Sequence, residues 1–139
     1  MLFRYRKNWT ALGGGAVLST PPVLVSHANG FTDAFALGKD HALYELSYTP
    51  GAGWRKNWTP LGGGAVLSTP PVLVPHANGF TDAFALGKDH ALYELSYTPG
   101  AGWGKNWTPL GGGAVLSTPP VVVPGGGSAA DVFALSSLG

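Results

Sequence analysis

The sequence contains no cysteine, which excludes a disulfide framework, a thiolate nucleophile and a cysteine-ligated metal. Charge is scarce as well: 8 Lys+Arg against 7 Asp+Glu give a net charge of +1, and charged residues make up 11% of the 139. The densest basic run, Arg4-Tyr5-Arg6-Lys7, falls far short of the basic stripe that displaces counterions from phosphates, so no nucleic-acid partner is expected. No apolar stretch approaches the ~20 residues of a membrane helix, and no membrane insertion is expected. The first five residues lack the apolar region and small-residue cleavage site of a secretory signal, so a soluble chain is expected.

Two residue types are abundant instead. Glycine (22) and proline (12) supply about a quarter of the chain, a level at which an aperiodic sequence reads as disordered. The aromatic fraction of 12% and hydrophobic fraction of 45% point the other way, because disordered chains are poor in aromatics and rich in charge. A folded chain with many turns is expected.

Self-comparison sets the organisation. Lys-Asn-Trp-Thr recurs with its tryptophan at Trp9, Trp58 and Trp107, intervals of 49 residues. Residues 21–69 and 70–118 differ only at Ser26/Pro75 and Arg55/Gly104. A degenerate copy over 119–139 keeps the Val121-Val122-Val123 and Asp131–Leu135 patterns but has Gly-Gly-Gly-Ser-Ala where the repeats have His-Ala-Asn-Gly-Phe.

Each repeat reads as four strands: residues 22–26, 32–37, 41–48 and 54–61. Asn29-Gly30 reads as a type I′ turn, in which both central residues need positive φ. Gly38-Lys39-Asp40 punctuates the second and third strands, and residues 49–53 form a loop. No eleven-residue window has helical spacing without an interrupting Gly or Pro. Four short strands in 49 residues predict an all-β chain, a β-propeller of four-stranded antiparallel blades. Full blades occupy 21–69 and 70–118. The ends share a third: residues 1–20 supply the outer part through a strand at 3–12, and 119–139 the inner strands at 121–124 and 131–136. Leu2-Phe3-Arg4-Tyr5 either fills the missing third strand or leaves a three-stranded blade.

About three blades cannot close a ring that normally takes about 4–8. Unpaired edges and bare apolar faces invite association, so the expected partner is a copy of the same chain. A homodimer of six blades is expected.

Catalytic signatures are missing. Asp33, Asp40 and Glu45, with Asp82, Asp89 and Glu94, read as turn-capping and strand residues. Ser19 and Ser68 lack a nucleophile elbow, and the Gly-Gly-Gly run lacks the Gly-Lys-Ser/Thr and helix of a phosphate loop. His27 and His41 are too far apart for a compact ligand motif. The chain is expected to be non-enzymatic and without cofactor or metal. The Asn-Trp-Thr sequons are discounted because their tryptophans read as buried. Trp58 and Trp107 lie mid-strand and are expected to pack between blades. Trp54 and Trp103, with Tyr48 and Tyr97, border the Pro-Gly-Ala-Gly loop, where an aromatic either packs or offers a flat face to a sugar. Asp40, Asp89, His41 and His90 are the polar groups placed beside them as ligand contacts.

The succession Asp33–Tyr44 (Asp-Ala-Phe-Ala-Leu-Gly-Lys-Asp-His-Ala-Leu-Tyr), followed by Gly-Trp-(x)3-Trp-(x)2-Leu-Gly-Gly at Gly53–Gly63, resembles the blades of bacterial tectonin-like, PLL-type propeller lectins. The likeness runs through both full repeats. His41 and His90 stand where that family usually has Asn, and Leu37 and Leu86 where Arg is frequent. The resemblance implies a non-catalytic, multivalent, fucose-binding protein with sites repeated between or upon blades. The alternative expectation is a symmetric self-assembling scaffold, designed or recently duplicated, with no retained ligand.

Overall fold

The computed structural model describes residues 2–6, 8–64, 66–76, 78–111, 113, 115–124 and 130–136, and every regular element among them is a β-strand. Leu2–Arg6 (β1) and Asn8–Leu12 (β2) form an antiparallel hairpin. The first repeat builds a sheet in the order Val23–Ser26 (β3), Thr32–Leu37 (β4), Leu43–Thr49 (β5). The outer edge of β5 is shared by Gly53–Trp54 (β6) and Thr59–Leu61 (β7). The second repeat builds the same sheet from Val72–Pro75 (β8), Thr81–Leu86 (β9), Leu92–Thr98 (β10), Gly102–Trp103 (β11) and Thr108–Leu110 (β12). Val121–Pro124 (β13) and Ala130–Phe133 (β14) close the chain as a second two-stranded hairpin. The all-β, antiparallel expectation is met, in sheets of two to five strands.

Four local expectations are corrected. Residues 3–12 are two strands, not one. Leu2 pairs with Leu12 and Arg4 with Thr10, as Leu43 pairs with Leu61 and Glu45 with Thr59. Leu2 and Arg4 therefore occupy the register places of Leu43 and Glu45, so β1 fills the third-strand place. The fourth strand, expected unbroken over 54–61, is split between β6 and β7. Two extra residues bulge out between them, which turns Trp58 into the core at 5% exposure and leaves Lys56 O free to accept from Gly14 N at 2.7 Å. In the Asn29-Gly30 turn only Gly30 has positive φ (88°). It is the wider loop in which Gly30 N donates to His27 O and His27 N to Phe31 O, a type I turn followed by a left-handed residue. The last strand ends at Phe133 rather than at 136; beyond it a bridge links Leu116 and Ser136. Within the shared unit, residues 1, 7, 125–129 and 137–139 lie outside the described residues.

Strand alternation gives each repeat sheet two unlike faces. One presents Val25, Phe35, Leu37 and Leu43. The other, in the second sheet, presents Ala83, Ala85, Leu95 and Trp107. These two sets interlock as one buried cluster, large side chains of the first sheet against small ones and a tryptophan of the second. The opposite face of the first sheet (Ala34, Leu46, Trp58) packs against Leu2 and Leu12 of the N-terminal hairpin. Trp58 and Trp107 thus pack between neighbouring sheets, as expected. First strands lie beside first strands: β3 approaches β8, and β8 approaches β13.

The segments linking sheets are stitched to both neighbours. Leu67 N donates to His41 O at 3.0 Å, and Leu67 also bridges Gly87 of the next sheet. A left-handed, non-glycine residue is uncommon, yet His41 and His90 both have φ of 67°. Their rings account for it: His41 Nδ1 lies 3.2 Å from Leu67 O and His90 Nδ1 3.2 Å from Leu116 O.

Candidate functional site: a cleft between the two repeat sheets

The face that carries Phe35 does not stay apolar along its whole length. Towards the β3–β4 loop the same alternation puts Asp33 on β4, and Glu45 and Ser47 on β5, in line with Phe35. Here the sheets part and leave a cleft of about 540 Å³. The first sheet lines it with Val25, His27, Asp33, Phe35, Glu45, Ser47 and Arg55; the second contributes Thr81, Tyr97, Pro99 and Trp103. That volume lies in the range of small-molecule sites, which join an apolar wall to a few fixed polar groups.

The wall is aromatic. Trp103 meets Phe35 edge-on, with ring centroids 5.7 Å apart at 77°, and leans on Tyr97 at 5.6 Å and 59°. The polar side is tied together. Asp33 accepts from Ser47 Oγ at 2.7 Å through one oxygen, and its other oxygen lies 2.8 Å from His27 Nε2. The Trp103 indole N–H donates to Glu45 Oε2 at 3.3 Å, from one sheet to the other. Burial, and then the charge of Asp33, push the Glu45 carboxyl up to about 7; the Trp103 N–H, Arg55 and His27 pull it back only in part. Near neutral pH Glu45 therefore passes between proton donor and acceptor, while Asp33 is committed to His27 and Ser47. No serine–histidine contact exists here, because aspartate separates the two. Among the described residues no group of three potential metal ligands gathers.

The second repeat carries the same groups in a more closed form. His76 pairs with Asp82 at 2.8 Å and Ser96 donates to Asp82 at 2.7 Å, but the His76 side chain is 1% exposed against 34% for His27. Glu94 is also raised, first by burial and then by Asp82. Gly104 replaces Arg55.

Of the residues singled out from sequence, Trp103 and Tyr97 line the cleft. Trp54 and Tyr48 form the equivalent pair, 5.6 Å apart at 58°, on the face turned to the N-terminal hairpin, where Trp54 packs against the cluster containing Leu2 and Leu12. Asp40, His41, Asp89 and His90 are corrected: they do not join the tryptophans. Both pairs sit in the turn beyond Leu37↔Leu43 or Leu86↔Leu92, whereas Tyr48 and Tyr97 lie at the opposite end of the strands. Five residues at about 3.3 Å each separate the two ends. Asp40 is occupied there, accepting from Tyr44 OH at 2.6 Å and Ala42 N at 3.2 Å. The Tyr44 bond chiefly, then that of Ala42, holds its carboxyl below the usual range.

The cleft residues that sequence reading passed over are His27, Asp33, Glu45, Ser47 and Arg55. Two signals pointed to them: a carboxylate inside the apolar strand Thr32–Leu37, and the Arg55/Gly104 difference, one of only two between the repeats. Compared with models of known protein families and with curated proteins, the chain matches none.

Proposed function

We propose that this chain is part of a β-propeller lectin that binds a small neutral sugar of the fucose type, without catalysis, in the cleft between its repeat sheets. The observation that carries the reading is the cleft itself. Trp103, Tyr97 and Phe35, set at steep angles to one another, offer apolar ring surface to the C–H face of a sugar. Asp33, His27, Glu45 and Arg55 stand opposite to hydrogen-bond hydroxyls. The likeness to PLL-type blades favours the same ligand class. The repeat sheets act as blades, with β3, β8 and β13 innermost, and the two hairpins form halves of one further blade. Ring closure then takes copies of the chain, two giving six blades. Affinity per site is expected near a millimolar Kd, about −4 kcal/mol, with strength gained by avidity across the ring.

Calorimetric titration with L-fucose, alongside a glycan array, tests the reading. One open site per chain is expected, since His27 is accessible and His76 sealed. Arg55→Gly makes the first repeat match the second at this position, where glycine already folds. It is expected to weaken binding roughly tenfold with no loss of fold, the scale of one charge-assisted hydrogen bond. Absence of heat and of array signal at millimolar sugar would leave the near-identity of the repeats as the mark of a ligand-free assembling scaffold.

A further inference from the structure

The two terminal hairpins each leave one strand edge open. Among the described residues β14 pairs with β13 and β1 with β2, whereas β4 and β5, their counterparts inside a repeat, pair with each other. Among the described residues the two hairpins do not pair with each other; each stands as a separate two-stranded sheet. We propose that the occupant of the β14 edge is β1 of a second copy, and that the seam is keyed by opposite charge between Asp131 and Arg4. The proposal rests on the ring reading above and adds a register and a pairing rule to it.

The register follows from the repeats. Phe35 pairs with Glu45 and Asp33 with Ser47 in the first sheet, as Phe84 with Glu94 and Asp82 with Ser96 in the second. Phe133 and Asp131 hold the places of Phe35 and Asp33, and Arg4 that of Glu45. The seam therefore sets Phe133 opposite Arg4 and Asp131 opposite the Arg6 position, with Asp131 one diagonal step from Arg4 on the same face, within reach of long side chains. Inside a repeat that diagonal holds two acids, and Asp33 pushes Glu45 towards its neutral form. At the seam it holds an acid and a base, both exposed in the single chain. The swap is accompanied by a second change. Asp33 and Asp82 each have a histidine partner, but the position aligned with His27 and His76 is Gly125. Asp131 has given up the histidine of the repeats and meets an arginine instead. Attraction at the seam and acid–acid repulsion elsewhere favour one pairing over its competitors. The seam cleft, facing Tyr48 and Trp54, consequently lacks the histidine and glutamate of the sugar cleft.

Analytical ultracentrifugation of the full chain and its variants tests this, with circular dichroism to verify folding. Asp131→Arg and Arg4→Glu are each expected to raise the dissociation constant of the assembly roughly tenfold. Combined, they are expected to lose less than the sum of the two. The milder Asp131→Asn should weaken assembly and flatten its dependence on salt. If the wild-type chain assembles but these variants assemble equally tightly, with additive effects and unchanged salt dependence, the charge key is overturned while the ring reading stands. A wild-type chain that stays monomeric overturns the ring reading first.

Discussion

The β3–β4 hairpin and the β13–β14 hairpin carry nearly the same inward-facing side chains but hide them to very different degrees. Val25, Phe35 and Leu37 are 8%, 2% and 2% exposed; their counterparts Val123, Phe133 and Leu135 are 51%, 59% and 68% exposed. Strand propensity and pairing are the same in both, so neither decides burial. What differs is the neighbour: the first hairpin has a second repeat sheet laid over it, and among the described residues no sheet covers the last. The first repeat shows the mirror image of this deficit, since Leu24 is 57% exposed while its counterpart Leu73 packs into the inter-sheet cluster. Each full burial of a Val, Leu or Phe side chain is worth about 1.5–3 kcal/mol. In the proposed assembly, burial of these bare faces supplies the apolar gain set against the entropic cost of association. Faces that are unlike and meet head to tail generate rings or filaments rather than isologous pairs.

Equivalent substitutions at non-equivalent places sharpen the comparison most. Phe35→Asp buries a charge between sheets and is expected to unfold the chain, at about 4 kcal/mol or more. Phe133→Asp should leave the fold intact and raise the dissociation constant of the assembly about a hundredfold. Thermal melts and sedimentation of the pair separate the two effects, and equal melting losses would break the comparison.

Glycines give the next largest contrast. A Cβ on Gly62 would run into Trp107 Nε1, and its φ is 86°, whereas Gly111, one repeat on, has nothing within 4 Å. Gly62→Ala is expected to cost about 2–4 kcal/mol of chain stability. Gly111→Ala should spare the chain and weaken only assembly. Denaturant titration at two protein concentrations distinguishes them.

The smallest effect concerns the paired glutamates. Glu45 titrates at about 7 in the fold against 4.5 unperturbed, so the folded state prefers its protonated form and loses stability as pH rises from about 4.5 through 7. Glu45→Gln should therefore be neutral near pH 4 and stabilising by roughly 1–3 kcal/mol at pH 8. Glu94→Gln should show the same sign. Melting temperatures across that range check it, and a stabilisation confined to acid pH would refute the burial argument.

The repeat made most of the fold readable. Near-identical copies with Pro and Gly at fixed offsets made the strand class and the unit boundaries legible, while the strand count was short by one in each repeat and in the N-terminal segment. The split of the fourth strand depends on a neighbouring sheet: Trp58 can turn inward only because Leu2 and Leu12 of another hairpin wait there, which alternation within the strand does not reveal. The site was half readable. Trp103 and Tyr97 stand out as large aromatics beside a loop. Asp40 and His41 were grouped with them because they are near in the chain, but a seven-residue strand carries Tyr48 to the far end of the sheet. Asp33 and Glu45 read as surface acids because the opposing Trp103 belongs to the next repeat, 58 residues from Glu45. A site formed between sheets is written in two places, and nothing local joins them.

The mass of the particle in dilute solution bears most directly on the claim that bare sheet faces are completed by copies of the same chain. At micromolar concentration, sedimentation equilibrium should return twice the 14.3 kDa chain mass. A stable particle of 14.3 kDa, with Phe133 and Leu135 still exposed to solvent, would contradict it.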